Sequence, residues 1–385
     1  MTTPAAAPLA HVKVLDLSRM YPGAFCSLLL ADLGADVVKV EAPGFGDGMR
    51  AMAAPGSFNA AHTALNRGKR SLALDLRSPG VGAVLNKLVQ WADVVIESHK
   101  PGQLDAMGIG YTEMSAVNPR LVWCSISGYG DTGPMADAAG HDITYLGYSG
   151  LLGALADGAP TPPMAGISLP AAATMAVVGI LAALSSAALT GQGARLDASM
   201  ADAAMWMLSE DVARAANDPQ PGWGSFAARN VYECADGRNV TVAANEPRTW
   251  AALCEGLGVP ELAGHRIGID ADAPVTARLR EVFATQPAAH WCAAPGLKGG
   301  IGPVNSAADL LDDPQVAARG SVVALAGTDM RVLANPIRFD SAVGAAASHA
   351  LRQPPGLGEH TADVLAMAGF DRDEVAALRE ANVVG

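Results

Sequence analysis

Gly140-His141-Asp142 sets an imidazole beside a carboxylate, a pair able to move a proton near neutral pH. Imidazole titrates close to neutrality, and a carboxylate partner fixes which ring nitrogen carries the proton. Adjacent side chains seldom point at one another, so Asp142 has a second use, capping a following helix. Taken alone, a single histidine of this kind is more often a capping or core residue than a base. The other chemically suggestive set is cationic: Lys39, Arg50, Arg67, Lys69, Arg70, Arg77 and Lys100 fall in or beside a series of loops. Each by itself is an ordinary solvated charge, but several gathered at one edge clamp a phosphorylated ligand.

The elements that must position these residues alternate. Val12 to Leu17 is a short apolar strand, followed by a turn at Pro22-Gly23, a helical pattern through Phe25, Leu28, Leu29 and Leu33, and a second strand from Asp36 to Glu41. Strand, helix and strand in this order form a βαβ unit with parallel strands and a right-handed crossover. The alternation continues with strands at Ser71 to Leu76, Asp93 to Glu97 and Leu121 to Ser127 and a helix from Gly80 to Trp91, which predicts a doubly wound α/β domain. Ligands of such sheets bind beyond the carboxyl ends of the strands. The loops to inspect are therefore Ser18 to Gly23, Ala42 to Arg50, Arg77 to Gly80 and Ser98 to Gly102. Gly44-Phe-Gly46-Asp-Gly48 follows the second strand but lacks the glycine spacing of a dinucleotide fingerprint, and there is no Walker loop.

At 385 residues, half of them hydrophobic and only 17% charged, the chain is long enough for two domains around a substantial aliphatic core. A net charge of −12 argues against nucleic acid, which demands clustered cations; a small anionic ligand needs only a few local ones. Five scattered cysteines without a Cys-x-x-Cys spacing fit buried thiols in a reducing compartment, and the N-terminus lacks the regions of a signal peptide, so a cytoplasmic protein is expected. Ala171 to Leu189 is the most apolar stretch, but its Thr and Ser interruptions point to a buried helix rather than a membrane span.

Composition shifts after Gly191-Gln192-Gly193. A helix from Met205 to Ala215 and a linker at Asp218 to Gly222 precede a hairpin from Asn230 to Val242, with Asp236-Gly237 at its tip. The expected organisation is a large α/β domain over 1–215, a small α+β domain over 216–330, and a segment 331–385 returning to the large domain.

Several segments resemble one family. These are Leu33-Gly-Ala-Asp-Val-Val-Lys-Val-Glu-Ala-Pro-Gly, Leu65-Asn-Arg-Gly-Lys-Arg-Ser-Leu, Ser127-Gly-Tyr-Gly-Asp-Thr-Gly-Pro, Gly179-Ile-Leu-Ala-Ala-Leu and Leu357-Gly-Glu-His-Thr. In this order they are similar to the family III CoA-transferases and α-methylacyl-CoA racemases. The resemblance implies a Rossmann-like large domain, a smaller α+β domain, an interlocked homodimer, CoA bound on the large domain as part of an acyl-CoA substrate, and no metal or redox cofactor. It puts Lys39 near the nucleotide phosphates, Leu74 and Arg77 beside the adenine, and Lys100 along the pantetheine; Arg50 belongs to the same basic loops. Gly140-His141-Asp142 is similar to the racemase branch, in which Tyr145 and Glu246 also match active-site positions. The resemblance makes Glu246 the expected partner of His141. It also exposes a departure, because Ser168 stands where racemases carry their second acid/base and transferases their nucleophile, in both cases an aspartate.

The expected activity is therefore removal and return of the α-proton of an acyl-CoA thioester, with His141 as base, in the manner of a 2-methylacyl-CoA racemase. CoA transfer between carboxylic acids is disfavoured, because serine gives a stable ester rather than a reactive anhydride. Binding of acyl-CoA with little turnover is the third alternative.

Overall fold

The computed structural model describes residues 7–54, 56–155, 166–217, 226–267, 271–294, 297, 300–339 and 351–385. The linker expected at Asp218 to Gly222 lies outside the described residues. The chain divides into two units, Met1–Glu210 with Ser321–Gly385, and Asp211–Gly320. Segment 321–330 thus belongs with the first unit, because it forms one strand of a hairpin that is anchored there through Arg67, whose guanidinium donates to the Leu333 carbonyl at 3.3 Å.

The first unit is built on strands β1 (Lys13–Asp16), β2 (Asp36–Glu41), β3 (Arg70–Ala73), β4 (Val94–Glu97), β5 (Val122–Ser127) and β6 (Ala194–Ser199). They form one sheet in the order β3-β2-β1-β4-β5-β6, every neighbouring pair parallel. This is the Rossmann order, with its switch point between β1 and β4. Alternate residues of the strands face opposite layers. Val14, Val37, Ile96, Cys124 and Ile126 join one core cluster. Leu15, Val38, Val95 and Trp123 join the other. β4 and β5 are buried at every position, as central strands covered on both faces are, with Glu97, Ser125 and Ser127 as their polar residues.

The helices of this unit include α1 (Tyr21–Asp32), α2 (Ala60–Asn66), α3 (Val81–Trp91), α4 (Gln103–Ala106), α5 (Tyr111–Val117), α6 (Asp142–Tyr148), α7 (Leu151–Leu155), α8 (Ser168–Thr190) and α9 (Met200–Trp206), with Thr361–Met367 and Arg372–Glu380 in its C-terminal segment. α8 is long and apolar enough to cross a membrane, and 39% of its most apolar window is buried. The buried side, Ala172, Ala176, Ile180 and Ala183, packs in the same cluster as Leu30 of α1. Small side chains let these helices lie close over the sheet.

β6 has no counterpart in the sequence reading. Its Ala-Arg-Leu-Asp-Ala-Ser pattern is polar because it is an edge strand, exposed at alternate positions. At the opposite edge the C-terminal segment covers β3. Gly385 N–H donates to Ala73 O at 3.1 Å, Ala73 N–H to Thr361 Oγ1 at 3.1 Å, and Gly358 N–H to Ser71 Oγ at 2.9 Å. The Leu357-Gly-Glu-His-Thr motif thus closes a sheet edge.

In the second unit an antiparallel sheet of β7 (Arg229–Glu233), β8 (Asn239–Ala243) and β9 (Ile301–Pro303) packs on helices Pro247–Gly256, Ala273–Phe283 and Ala288–Ala293. Tyr232 and Phe283 stack at 4.8 Å in its core. The hairpin turns at Gly237, whose φ of 73° only glycine adopts readily.

Candidate active site

Two places in the first unit carry the chemistry. The first is a cleft of about 320 Å³ beyond the carboxyl ends of β1 to β4, lined by Leu17, Arg19, Phe45, Leu74, Arg77 and His99 among others. It occupies the switch-point position that the strand order dictates. Leu74 is 1% exposed and forms an apolar wall, Phe45 stands 62% exposed, and the Arg77 side chain is 81% exposed, with Asp75 beside it at 3.3 Å. Arg77 is thus an exposed cation at the mouth of a mixed cleft. His99 points Nε2 at Leu17 O, 3.2 Å away. Burial pushes its pKa below the ordinary histidine value, a shift that the Leu17 hydrogen bond opposes.

Beneath the cleft lies a buried ionic cluster. Lys39 is 2% exposed and donates to Ser18 O at 2.9 Å, with Asp47 at 3.1 Å and Asp16 at 3.7 Å. Burial works against its charge, but Asp16, Asp47 and Glu41 together raise its pKa. Lys39 is therefore a structural cation holding β1, β2 and the 42–50 loop together, and its ammonium is not presented to the cleft. Lys69 shares Asp16 at 3.7 Å and donates to Ala24 O and Asn66 Oδ1, both at 3.0 Å. Burial brings its pKa down to about 7. Arg50 is likewise committed. Its guanidinium grips Glu41 through Nε at 2.7 Å and Nη2 at 2.8 Å and reaches Pro355 O at 3.1 Å. Gly46, at φ 77°, lies where a Cβ would come within 2.6 Å of the Arg50 chain, so this glycine permits the loop to close over the ion pair. Arg67 pairs with Asp32 and Arg70 with Asp36 at 2.6 Å. Of the cations expected to meet phosphate, Arg77 and Lys100 are the exposed ones, and Lys100 borders a small neighbouring depression with Tyr111, Asp131 and Arg195.

The second place is the corner where α6 and α8 begin. His141 precedes α6 as its N-cap and is exposed; its N–H donates to Thr144 Oγ1 at 2.9 Å. Asp142 turns away from that histidine. Its Oδ1 accepts from Ile167 N–H at 3.0 Å, Ser168 N–H at 2.8 Å and Ser168 Oγ–H at 2.6 Å. It does cap a helix, α8, distant in sequence, rather than the α6 that it opens. Ser168 is fully buried. Its hydroxyl proton is engaged by that carboxylate. Tyr145, 5% exposed, packs edge-on against Tyr129 at 5.1 Å, and burial raises its pKa. A Cβ on Gly128 or Gly140 would come within 2.7 Å or 2.6 Å of its ring, which accounts for both glycines.

Glu246 lies in the second unit, exposed at the start of helix Pro247–Gly256. Its Oε2 accepts from Thr249 Oγ1 at 2.8 Å, and that hydrogen bond lowers its pKa. Sequence reasoning missed Asp16, Glu41 and Asp47, the anions that neutralise Lys39, Lys69 and Arg50. The available signal was the placement of each at the carboxyl end of a strand or in the loop after it.

Comparison with known proteins agrees with this architecture. Residues 9–361 match the family described as CoA-transferase family III. Human succinyl-CoA:glutarate CoA-transferase is 29% identical, over 98% of this chain and 90% of its own length. Human α-methylacyl-CoA racemase is also 29% identical, over 98% and 97%. Among solved structures, a CAIB/BAIF family protein from Brucella suis superposes with a TM-score of 0.81 at 31% identity, covering 94% of this chain and 100% of that one. The chain belongs to CoA-transferase family III, whose members act on acyl-CoA.

Proposed function

We propose that this protein acts at the α-carbon of an acyl-CoA thioester, removing a proton with His141 and returning one to the opposite face, as a 2-methylacyl-CoA racemase or epimerase does. The observation that carries the reading is the state of Ser168. A CoA transfer through an acyl-enzyme anhydride needs a free carboxylate at this position, whereas the hydroxyl here is buried and donates to Asp142 at 2.6 Å. What the corner offers is the exposed imidazole of His141. The α-proton is only weakly acidic, so the base must be placed beside it and the thioester oxygen must be held by donors as charge develops there.

CoA is proposed to lie in the cleft beyond β1 to β4, where Leu74 supplies an apolar wall for the adenine and Arg77 an exposed cation, with Lys100 adding charge from the neighbouring depression. A homodimer is part of the same reading, supported by the exposed apolar stripe Met175, Val178 and Leu189 on α8.

The test is to incubate a single epimer of a 2-methylacyl-CoA with the enzyme and to determine the configuration of the recovered acyl group. Interconversion supports the reading. Movement of CoA onto added carboxylic acids, with configuration retained, would establish transfer instead. Tight CoA binding with neither activity would leave an acyl-CoA binder.

A further inference from the structure

We infer that Asp142 performs the second proton transfer, with Ser168 as the residue that positions it; the inference rests on the α-proton reading above. Inversion needs one group on each face of the carbon, so a single histidine is half of the machinery. Among the described residues that open α6 and α8, the titratable side chains are His141, Asp142 and Tyr145. Tyr145 is buried in an aromatic cluster, and burial moves its phenol further from exchange at neutral pH.

Asp142 meets the geometric requirement in a specific way. All three of its hydrogen bonds fall on one oxygen, Oδ1, and none of the described residues donates to Oδ2. The carboxylate is fixed in direction by the amides of Ile167 and Ser168 and by the serine hydroxyl, while its second oxygen keeps a site for a proton. An aspartate at 168 would put a carboxylate at this same corner from α8. Here the carboxylate comes from α6, and residue 168 contributes a donor 2.6 Å away. A second carboxylate at that distance would be a like charge; a hydroxyl is complementary.

The proton balance closes. For one epimer, His141 takes the α-proton and becomes imidazolium, the electron pair of the Cα–H bond delocalises onto the thioester oxygen, and Asp142, protonated at Oδ2, delivers its proton to the other face. A Cα–H bond is broken and one is formed, leaving imidazolium and carboxylate. The opposite epimer runs the reverse course, with the Asp142 carboxylate as base and imidazolium as acid.

The experiment measures α-deuteration of each epimer of a 2-methylacyl-CoA in deuterated water separately from epimer interconversion. Asp142→Asn, which keeps an oxygen to accept the helix amides, is expected to lower interconversion at least about 100-fold while still exchanging the one epimer whose proton faces His141. His141→Gln is expected to show the mirror pattern. Ser168→Ala is expected to lower kcat for exchange of the Asp142-dependent epimer about 10-fold, leaving the other epimer and the KM for the thioester unchanged, a selectivity that a purely structural role would not produce. Asp142→Asn that interconverts epimers within about 3-fold of the parent overturns the inference, as does equal loss of exchange from both epimers in either Asp142→Asn or Ser168→Ala. A parent enzyme that exchanges neither epimer overturns the α-proton reading itself, a result distinct from failure of the Asp142 assignment.

Discussion

Asp47 is the residue whose removal most directly tests the buried ionic floor of the cleft. Its carboxylate sits 3.1 Å from the Lys39 ammonium, and both side chains are 2% exposed. It also accepts Met49 N–H at 2.8 Å, capping a short 3-10 turn, and Met20 N–H at 3.0 Å, where Met20 holds a left-handed φ of 61°. Burial alone would raise the Asp47 pKa; the Lys39 charge and the Met49 and Met20 amides outweigh it and hold the group below the ordinary range. Asp47→Ala strands a buried ammonium, which costs about 3–5 kcal/mol when one partner of a buried pair is lost. Lys39 retains Ser18 O and a more distant Asp16, so the lower end, about 3 kcal/mol, is expected. For a unit of this size that corresponds to a fall in Tm of about 6–12 °C. Thermal and denaturant unfolding of Asp47→Ala, Lys39→Met and the double variant measure it. The double variant should be at least about 1 kcal/mol more stable than additivity allows, because the stranded charge has gone. A loss below about 1 kcal/mol in Asp47→Ala, or strict additivity, would refute the claim that this pair holds the floor.

Other outcomes follow from the same geometry. His62, 7% exposed, has its pKa lowered to about 4, chiefly by burial and then by the Arg50 charge. The unfolded chain takes up this proton near pH 6.5 and the folded one only near 4. Stability from this residue is therefore full above pH 6.5 and is lost as pH falls through that window, by about 2–3 kcal/mol; His62→Gln should flatten the profile, as denaturant melts at pH 4, 5 and 7 will show. Arg77→Ala should weaken CoA binding about 3- to 10-fold by titration calorimetry, with Tm unchanged because the side chain is 81% exposed; unchanged affinity would remove Arg77 from the CoA site.

The sheet was legible because its inner strands are largely buried and carry short β-branched and apolar cores between turn signals, and β2 has the bounds expected of it, Asp36 to Glu41. β6 was not, since an edge strand carries polar residues at exposed positions and so loses the apolar signature. The helix expected from Met205 to Ala215 is interrupted, with α9 ending at Trp206 and a further helix, Ser209–Asn217, following it; α9 buries Met200, Ala201, Ala203 and Ala204, and the second helix buries none of its residues. For the site, the identities of the basic residues were readable but their partners were not. Lys39, Lys69 and Arg50 look like phosphate ligands in sequence and are neutralised in space by Asp16, Asp47 and Glu41, which come from other elements. The same holds for Asp142, whose carboxylate reaches across 26 residues to Ser168 rather than to the histidine beside it. Pairings of this range are set by topology, and no local pattern encodes them.

The central claim is proton removal at the thioester α-carbon by His141. Proton NMR of a 2-methylacyl-CoA in deuterated water follows it directly: with the parent protein the α-proton signal should disappear and the adjacent methyl doublet collapse, and with His141→Ala exchange of the His141-facing epimer should fall at least about 100-fold while CoA affinity stays within about 2-fold. Full exchange of both epimers by His141→Ala would contradict the account.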